Sequence, residues 1–221
     1  MGLITARAFR LAYGLLGGDQ LKWFKEALRG GPAHASVKTM MLIAGKPRGL
    51  LNAVGGLLNA VGQKSLGQLI PLFARTDVYD HWKLVVEQVD YRARFAEAMD
   101  RADGGRLDLI LGPVCALPAF RHGSTEDLGL AGANTILYNV LGYLAGVVPW
   151  SRVGQDEQSE RQASSDIVEK VAKKCDEGSA GLPTAVQLAA RPWREHVAFA
   201  AMHVIEGAAR KRSDYPQRPV L

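Results

Sequence analysis

The sequence predicts an α/β fold. Apolar residues recur at helical spacing in several segments, short apolar runs bounded by glycine or proline read as strands, and the two kinds of segment alternate along the chain.

Over residues 5–16, Ala8, Leu11, Ala12 and Leu15 recur at helical spacing, and Gly17-Gly18 stops the run. Asp19 is placed to cap a second helix with Leu21, Phe24 and Leu28 on one face, ended by Gly30-Gly31-Pro32. Residues 37–43 fit helix or strand, because a short apolar run does not separate the two. The clearest periodicity is Leu50, Leu51, Val54, Leu57, Leu58 and Val61, with Asn52 and Asn59 at equivalent places in a tandem LLNAVGG, LLNAVGQ. It predicts an amphipathic helix with a seven-residue period. Gly49, Gly55, Gly56 and Gly62 weaken it by about 0.5 to 1 kcal/mol each relative to alanine, so it needs a surface to lie on. Asn52, Asn59 and Lys64 argue against a membrane span, which needs about 20 predominantly apolar residues. Pro71 breaks the run that follows, Leu69-Ile70-Pro71-Leu72-Phe73.

A longer helix is predicted over residues 77–102, with Trp82, Val85, Val89, Phe95 and Met99 inward and Lys83, Glu87, Asp90, Arg94 and Asp100 outward; Gly104-Gly105 ends it. Residues 107–114 read as a buried strand, and 145–153 and 184–191 as two more. Helices are expected over 134–144 and 195–212, and the polar loop 154–163 leads into a charged helix over 164–175.

Composition limits the function. A chain of 221 residues with 48% hydrophobic and 22% charged content can bury one ordinary core, so a single domain over residues 1–221 is the expectation. Residues 212–221, with two prolines and no periodicity, read as a flexible tail. The formal charge of +5 suits weak attraction to an anionic membrane surface, but Lys and Arg are scattered, which excludes a nucleic-acid stripe. Cys115 and Cys175 lie far apart, so no disulfide framework is expected, and no CxxC or HExxH spacing offers a metal site; no metal or cofactor is expected. Cytosolic thiols are the simplest reading. Arg7 and Arg10 interrupt the first apolar segment, which reads as an amphipathic helix rather than a signal peptide, and Arg7 after Ala6 defeats a myristoylation reading of Gly2.

The residues by themselves name no catalytic group. Ser124 beside His122 reads as a solvated loop, since neighbours that close rarely orient a base toward a nucleophile. Ser179 lies in EGSAG, without the G-x-S-x-G of a nucleophile elbow. His34, His81, His196 and His203 are isolated, and Asp156, Glu157 and Glu160 read as a solvated acidic loop.

Two stretches go further: TILYNVLGYLAGVVP over residues 135–149 and GLPTAVQLAARPWRE over residues 181–195. With LLGGDQLKWFKEALRGGP, Pro71-Leu72-Phe73, Trp82-Lys83-Leu84, Tyr91-Arg92 and LDLILGP in the same order, the chain from about residue 9 to 210 resembles the C-terminal part of the amidase signature family, in its fatty acid amide hydrolase-like branch. The resemblance implies a mixed sheet flanked by helices with an amphipathic helical cap over residues 46–73. It implies that the cap meets one membrane leaflet through Leu50, Leu51, Val54, Leu57, Leu58 and Val61, with Lys46, Arg48 and Lys64 near anionic headgroups. The alternative is that the same face packs on a neighbouring helix or a second protomer. Phe73, Ile136 and Trp193 would line the acyl-chain channel; the residues alone read equally well as core.

The sequence departs from the family pattern in two ways. The Lys, the cis-Ser and the nucleophilic Ser lie in the family's N-terminal half, and no GGSSGGE-like loop occurs among these residues. Trp150 replaces the small apolar residue usual after GVVP and is expected to disturb the strand there. The expectation is therefore the C-terminal portion of a lipid-amide hydrolase, inactive alone. It would be peripheral to a membrane, within the cytoplasm, and associated with an N-terminal amidase half or with itself. A non-catalytic lipid- or membrane-binding protein derived from an amidase is the alternative.

Overall fold

A computed structural model describes residues 3–158 and 161–216. Gly2 of the myristoylation reading, Glu160 of the acidic loop and positions 217–221 of the tail lie outside the described residues. The chain divides into two compact units. The first takes the residues up to Asp90 with His122–Leu130 and Ala163–Val171; the second takes Tyr91–Arg121, Ala131–Gln162 and the residues from Ala172 onward.

In the first unit, α1 (Leu3–Leu16) buries Ala8, Phe9 and Leu11. The turn after it is held by Asp19, whose carboxylate accepts the N–H of Leu21 at 2.8 Å and of Trp23 at 2.9 Å and so caps the short α2 (Lys22–Ala27). The ambiguous run at 37–43 is helical, within α3 (Ala35–Ile43). The tandem repeat forms α4 (Arg48–Ala60), followed by α5 (Lys64–Leu69) and a 3-10 turn, Ile70–Phe73. α6 (Val78–Asp100) begins in this unit and ends in the second.

The predicted inward face of α6 is corrected by the structure. Trp82, Val85 and Val89 are exposed, at 65%, 41% and 62%. The face turned toward the unit is the charged one: Arg7 donates to Glu87 at 3.1 Å, Arg10 bonds the same carboxylate, and Arg7 lies 3.5 Å from Asp90. Two arginines on α1 anchor α6 by its acids, which leaves the valines outward. Farther along, within the second unit, Met99 is buried and Phe95 half-buried as expected, and Tyr91 is buried as well.

The second unit is built on a three-stranded sheet of β1 (Leu109–Pro113), β2 (Leu144–Arg152) and β3 (Pro183–Ala190), in the order β1-β3-β2. All three strand expectations are met. The resemblance implies a mixed sheet; among the described residues each pairing is antiparallel. Among the three strands the central one is the most buried, over its last four residues, Gln187, Leu188, Ala189 and Ala190. β1 and β2 are edges, so β1 is not the buried strand expected: Leu111 is 55% exposed, and β2 alternates, with Val147 exposed and Val148 buried. α7 (Ala133–Leu141) and α9 (Glu195–Ala209) complete the unit, and α8 (Ile167–Asp176) divides between the two. A Cβ on Gly146 of β2 would meet the end of the Met202 side chain of α9, so a larger residue there would have to move the methionine aside. The register of β2 against β3 shifts between Pro149 and Ser151, the position of Trp150, where the sequence expects a disturbed strand. The Trp150 ring lies 5.0 Å from the guanidinium carbon of Arg212, which also pairs with Asp214 at 2.9 Å.

Candidate functional site

The segment from α4 to the 3-10 turn is assembled by close backbone approach. A Cβ on Gly55 of α4 would lie 2.7 Å from the carbonyl oxygen of Gly67 and 2.9 Å from Pro71 Cγ. The glycine that weakens the helix is therefore what lets α4 lie against α5 and the following turn. Leu51 and Gly55 are buried there and Leu58 is half-buried, whereas Leu50, Val54, Leu57 and Val61 are exposed at 52%, 36%, 67% and 60%. The six positions thus form two adjacent stripes. One packs inward, and the other, at i, i+4, i+7 and i+11, is a continuous apolar ridge on the surface. Lys46, Arg48 and Lys64 are exposed, and Arg48 lies 3.7 Å from Asp80.

Two residues that sequence reasoning passed over fix α5 and the start of α8. Gln63 accepts the N–H of Ile167 at 2.9 Å and donates to the Ser165 carbonyl at 2.8 Å. The buried Asp166 accepts the N–H of Ser65 at 2.7 Å and of Val168 at 2.9 Å, capping α5 and α8 with one carboxylate. Burial opposes its charge, but these backbone donors outweigh burial and hold its pKa below the ordinary aspartate range. The available signal was Ser164-Ser165-Asp166 immediately before an apolar periodic run, an N-cap pattern. Its pairing with residues a hundred positions earlier has no sequence signature.

Phe73, the channel candidate of the first unit, is 1% exposed; its ring meets Tyr13 edge-on at 5.4 Å, and Tyr13 in turn packs on Phe9 at 4.5 Å. It also lines an open cavity of about 1090 Å³. The other two candidates belong to the second unit. Ile136 is half-buried on α7 beside the buried Ala133 and Val140. Trp193 is 88% exposed in the turn between β3 and α9, with φ at +64°, a left-handed conformation uncommon for so bulky a residue.

No hydrogen bond joins Ser124 to the exposed His122. Ser179 is 2% exposed, held in a turn where its N–H reaches the Asp176 carbonyl at 3.0 Å and its own carbonyl accepts the Leu182 N–H at 2.9 Å. Cys115 Sγ lies 3.2 Å from the Ala131 carbonyl and Cys175 is buried; both are free thiols. Among the described residues no three His, Cys, Asp or Glu side chains gather as metal ligands, and no helix is long and apolar enough to cross a membrane.

The fold is that of an α/β protein with an exposed apolar ridge on α4 and a mostly apolar cavity in its helical unit. Residues 57–198 match the family model described as Amidase, and the chain belongs to that family. It is 31% identical over 169 residues to "Fatty-acid amide hydrolase 1" of Sus scrofa, covering 75% of this chain and 26% of that protein. It is 30% identical over 144 residues to "Fatty acid amide hydrolase 1" of Caenorhabditis elegans, covering 64% and 24%. A solved structure named "Fatty acid amide hydrolase" superposes over 72% of this chain and 32% of its own, at 16% identity and a TM-score of 0.48. The chain spans about a quarter of the length of these curated relatives.

Proposed function

We propose that this chain supplies the membrane-facing cap and part of the acyl-chain channel of an amide hydrolase acting on fatty acid amides or related lipid amides. The observation that carries the reading is the ridge of Leu50, Val54, Leu57 and Val61, exposed on a helix whose other stripe is locked to the unit. Fully burying one such side chain is worth about 1.5 to 3 kcal/mol, so four of them beside Lys46, Arg48 and Lys64 are sufficient to hold a peripheral protein at an anionic interface. Phe73, Ile136 and Trp193 are the channel residues in this reading. Trp193 suits the role by its exposure, since an indole in solvent has area to give to a hydrocarbon chain. The exposed α6 valines and the unpaired sheet edges favour association with an N-terminal amidase half or with a second copy.

The test is sedimentation with vesicles of phosphatidylcholine and phosphatidylglycerol. Leu57→Asp with Val61→Asp is expected to lower binding by about tenfold or more, given the burial lost and the charge desolvated. A folded double variant that binds as well as the parent overturns the cap assignment. The non-catalytic alternative is favoured by one observation, the burial of Ser179. Oleamide hydrolysis, measured with the 221 residues alone and with a co-expressed N-terminal amidase half, separates the two. Turnover only in the co-expressed pair is expected, and its absence there selects the non-catalytic reading.

A further inference from the structure

The cavity of about 1090 Å³ in the first unit is slightly larger than the ~300–1,000 Å³ usual for ligand sites. Its interior is hydrocarbon, from Leu15, Leu21, Val37, Met40 and Phe73, with Leu21 and Phe73 buried. Its mouth is charged. Lys22 and Arg75 line it and form no ion pair among the described residues. The two carboxylates of the same lining are committed to backbone: Asp19 accepts from Leu21 and Trp23, and Asp77 from Asp80 at 2.7 Å. His81 closes the same wall, its Nδ1 buried without a hydrogen-bond partner. Gln20 and Leu21, also in the lining, take left-handed φ values of +62° and +55°. Such backbone strain in non-glycine residues concentrates at ligand clamps and switch regions.

An aliphatic interior with an adaptable methionine wall suits a flexible hydrocarbon chain, and the exposed Arg75 and Lys22 in the same lining are available to bond an anionic head. We infer that this cavity binds a free long-chain fatty acid, its chain against Met40 and Phe73 and its carboxylate held by Arg75 and Lys22. A neutral amide or alcohol of the same chain fills the interior but offers Lys22 and Arg75 no charged acceptor to bond, and Asp19 and Asp77, though ionised, are held by backbone N–H groups. The site therefore selects the acid over the amide. It shares Phe73 with the proposed channel and otherwise stands apart from the hydrolase reading: oleate binding without oleamide turnover, or the reverse, tells the two failures apart.

The experiment is calorimetric titration of the full chain with oleate, oleyl alcohol and oleamide, each below its aggregation limit. Oleate is expected to bind about tenfold or more tighter than either neutral compound, the worth of one charge-assisted hydrogen-bonded pair. Lys22→Gln with Arg75→Gln, both at exposed positions, is expected to abolish that preference while leaving the alcohol's affinity unchanged. A spin-labelled stearate, in the unmodified protein, is expected to broaden the Met40 methyl resonance and to be displaced by oleate. Equal affinities for oleate and oleyl alcohol, an undiminished preference in the double variant, or an unaffected Met40 methyl each overturn the assignment.

Discussion

Two helices of the first unit, α4 and the first half of α6, carry apolar stripes of similar spacing, and the structure uses them in opposite ways. On α4 the apolar arc is wide enough to be shared: Leu51, Gly55 and Leu58 face inward, and Leu50, Val54, Leu57 and Val61 face solvent. On α6 the stripe of Val78, Trp82, Val85 and Val89 is outward throughout, and the acids Glu87 and Asp90 turn to Arg7 and Arg10 of α1. One helix is seated by a glycine contact and the other by ion pairs. Periodicity fixes that a stripe exists; the neighbour decides whether it is buried.

The largest expected effect breaks the α4 seat. Gly55→Leu places side-chain atoms where the Gly67 carbonyl and Pro71 stand, and overpacking of this kind costs about 3 kcal/mol or more. Gly56→Ala, one position away with nothing within 4 Å of its Cβ, is expected to stabilise by about 0.5 to 1 kcal/mol through helix propensity. Urea unfolding of the pair checks both signs, and similar values for the two would mean that α4 is not seated by Gly55.

A smaller effect tests the anchor beneath α4. Asp166→Ala removes two helix caps and is expected to cost about 2 kcal/mol at neutral pH. Because the folded-state pKa is lowered, this stabilisation is fully present above the unfolded aspartate value of about 4 and is lost as pH falls through the folded pKa. The gap between parent and variant should therefore narrow on acidification. A gap that widens below pH 4 contradicts the capping role.

The smallest effect sharpens the α6 side. Arg10 and Arg7 overcome burial and hold the Glu87 pKa below the ordinary glutamate range. Glu87→Ala is expected to cost about 1 kcal/mol, less in high salt because the pair is partly exposed. Trp82→Ser should stay within about 0.5 kcal/mol of the parent, as an exposed site does. A thermal-unfolding series in which Trp82→Ser is the more damaging of the two would restore the inward-facing reading of α6.

Much of the architecture was legible. The glycine pairs and Asp19 mark helix ends by local chemistry, and the three apolar runs became the three strands, because these signals act within a few residues. The family was legible too, since residues 135–149 and 181–195 are linear motifs inside the matched span 57–198. Of the channel candidates, the sequence marked Phe73 as apolar, but not that Tyr13 covers it or that it borders a cavity with Lys22 and Arg75 at the mouth. Those neighbours come from α1, α2 and the segment before α6, and nothing in a linear pattern joins them.

By itself, the sequence determined the three strands and most of the helices, the amphipathic LLNAVGG repeat, the family, and the lack of a Gly/Ser-rich nucleophile loop among these residues. Each depends on intrinsic backbone preference, local capping or residue identity. Tertiary structure alone decided that β3 is the central strand, that the valines of α6 face outward, and that Gln63 and Asp166 tie residues 63–65 to residues 165–168. These are choices among faces and partners of nearly equal local energy, and they are settled by which long-range contacts satisfy buried charges and backbone donors together.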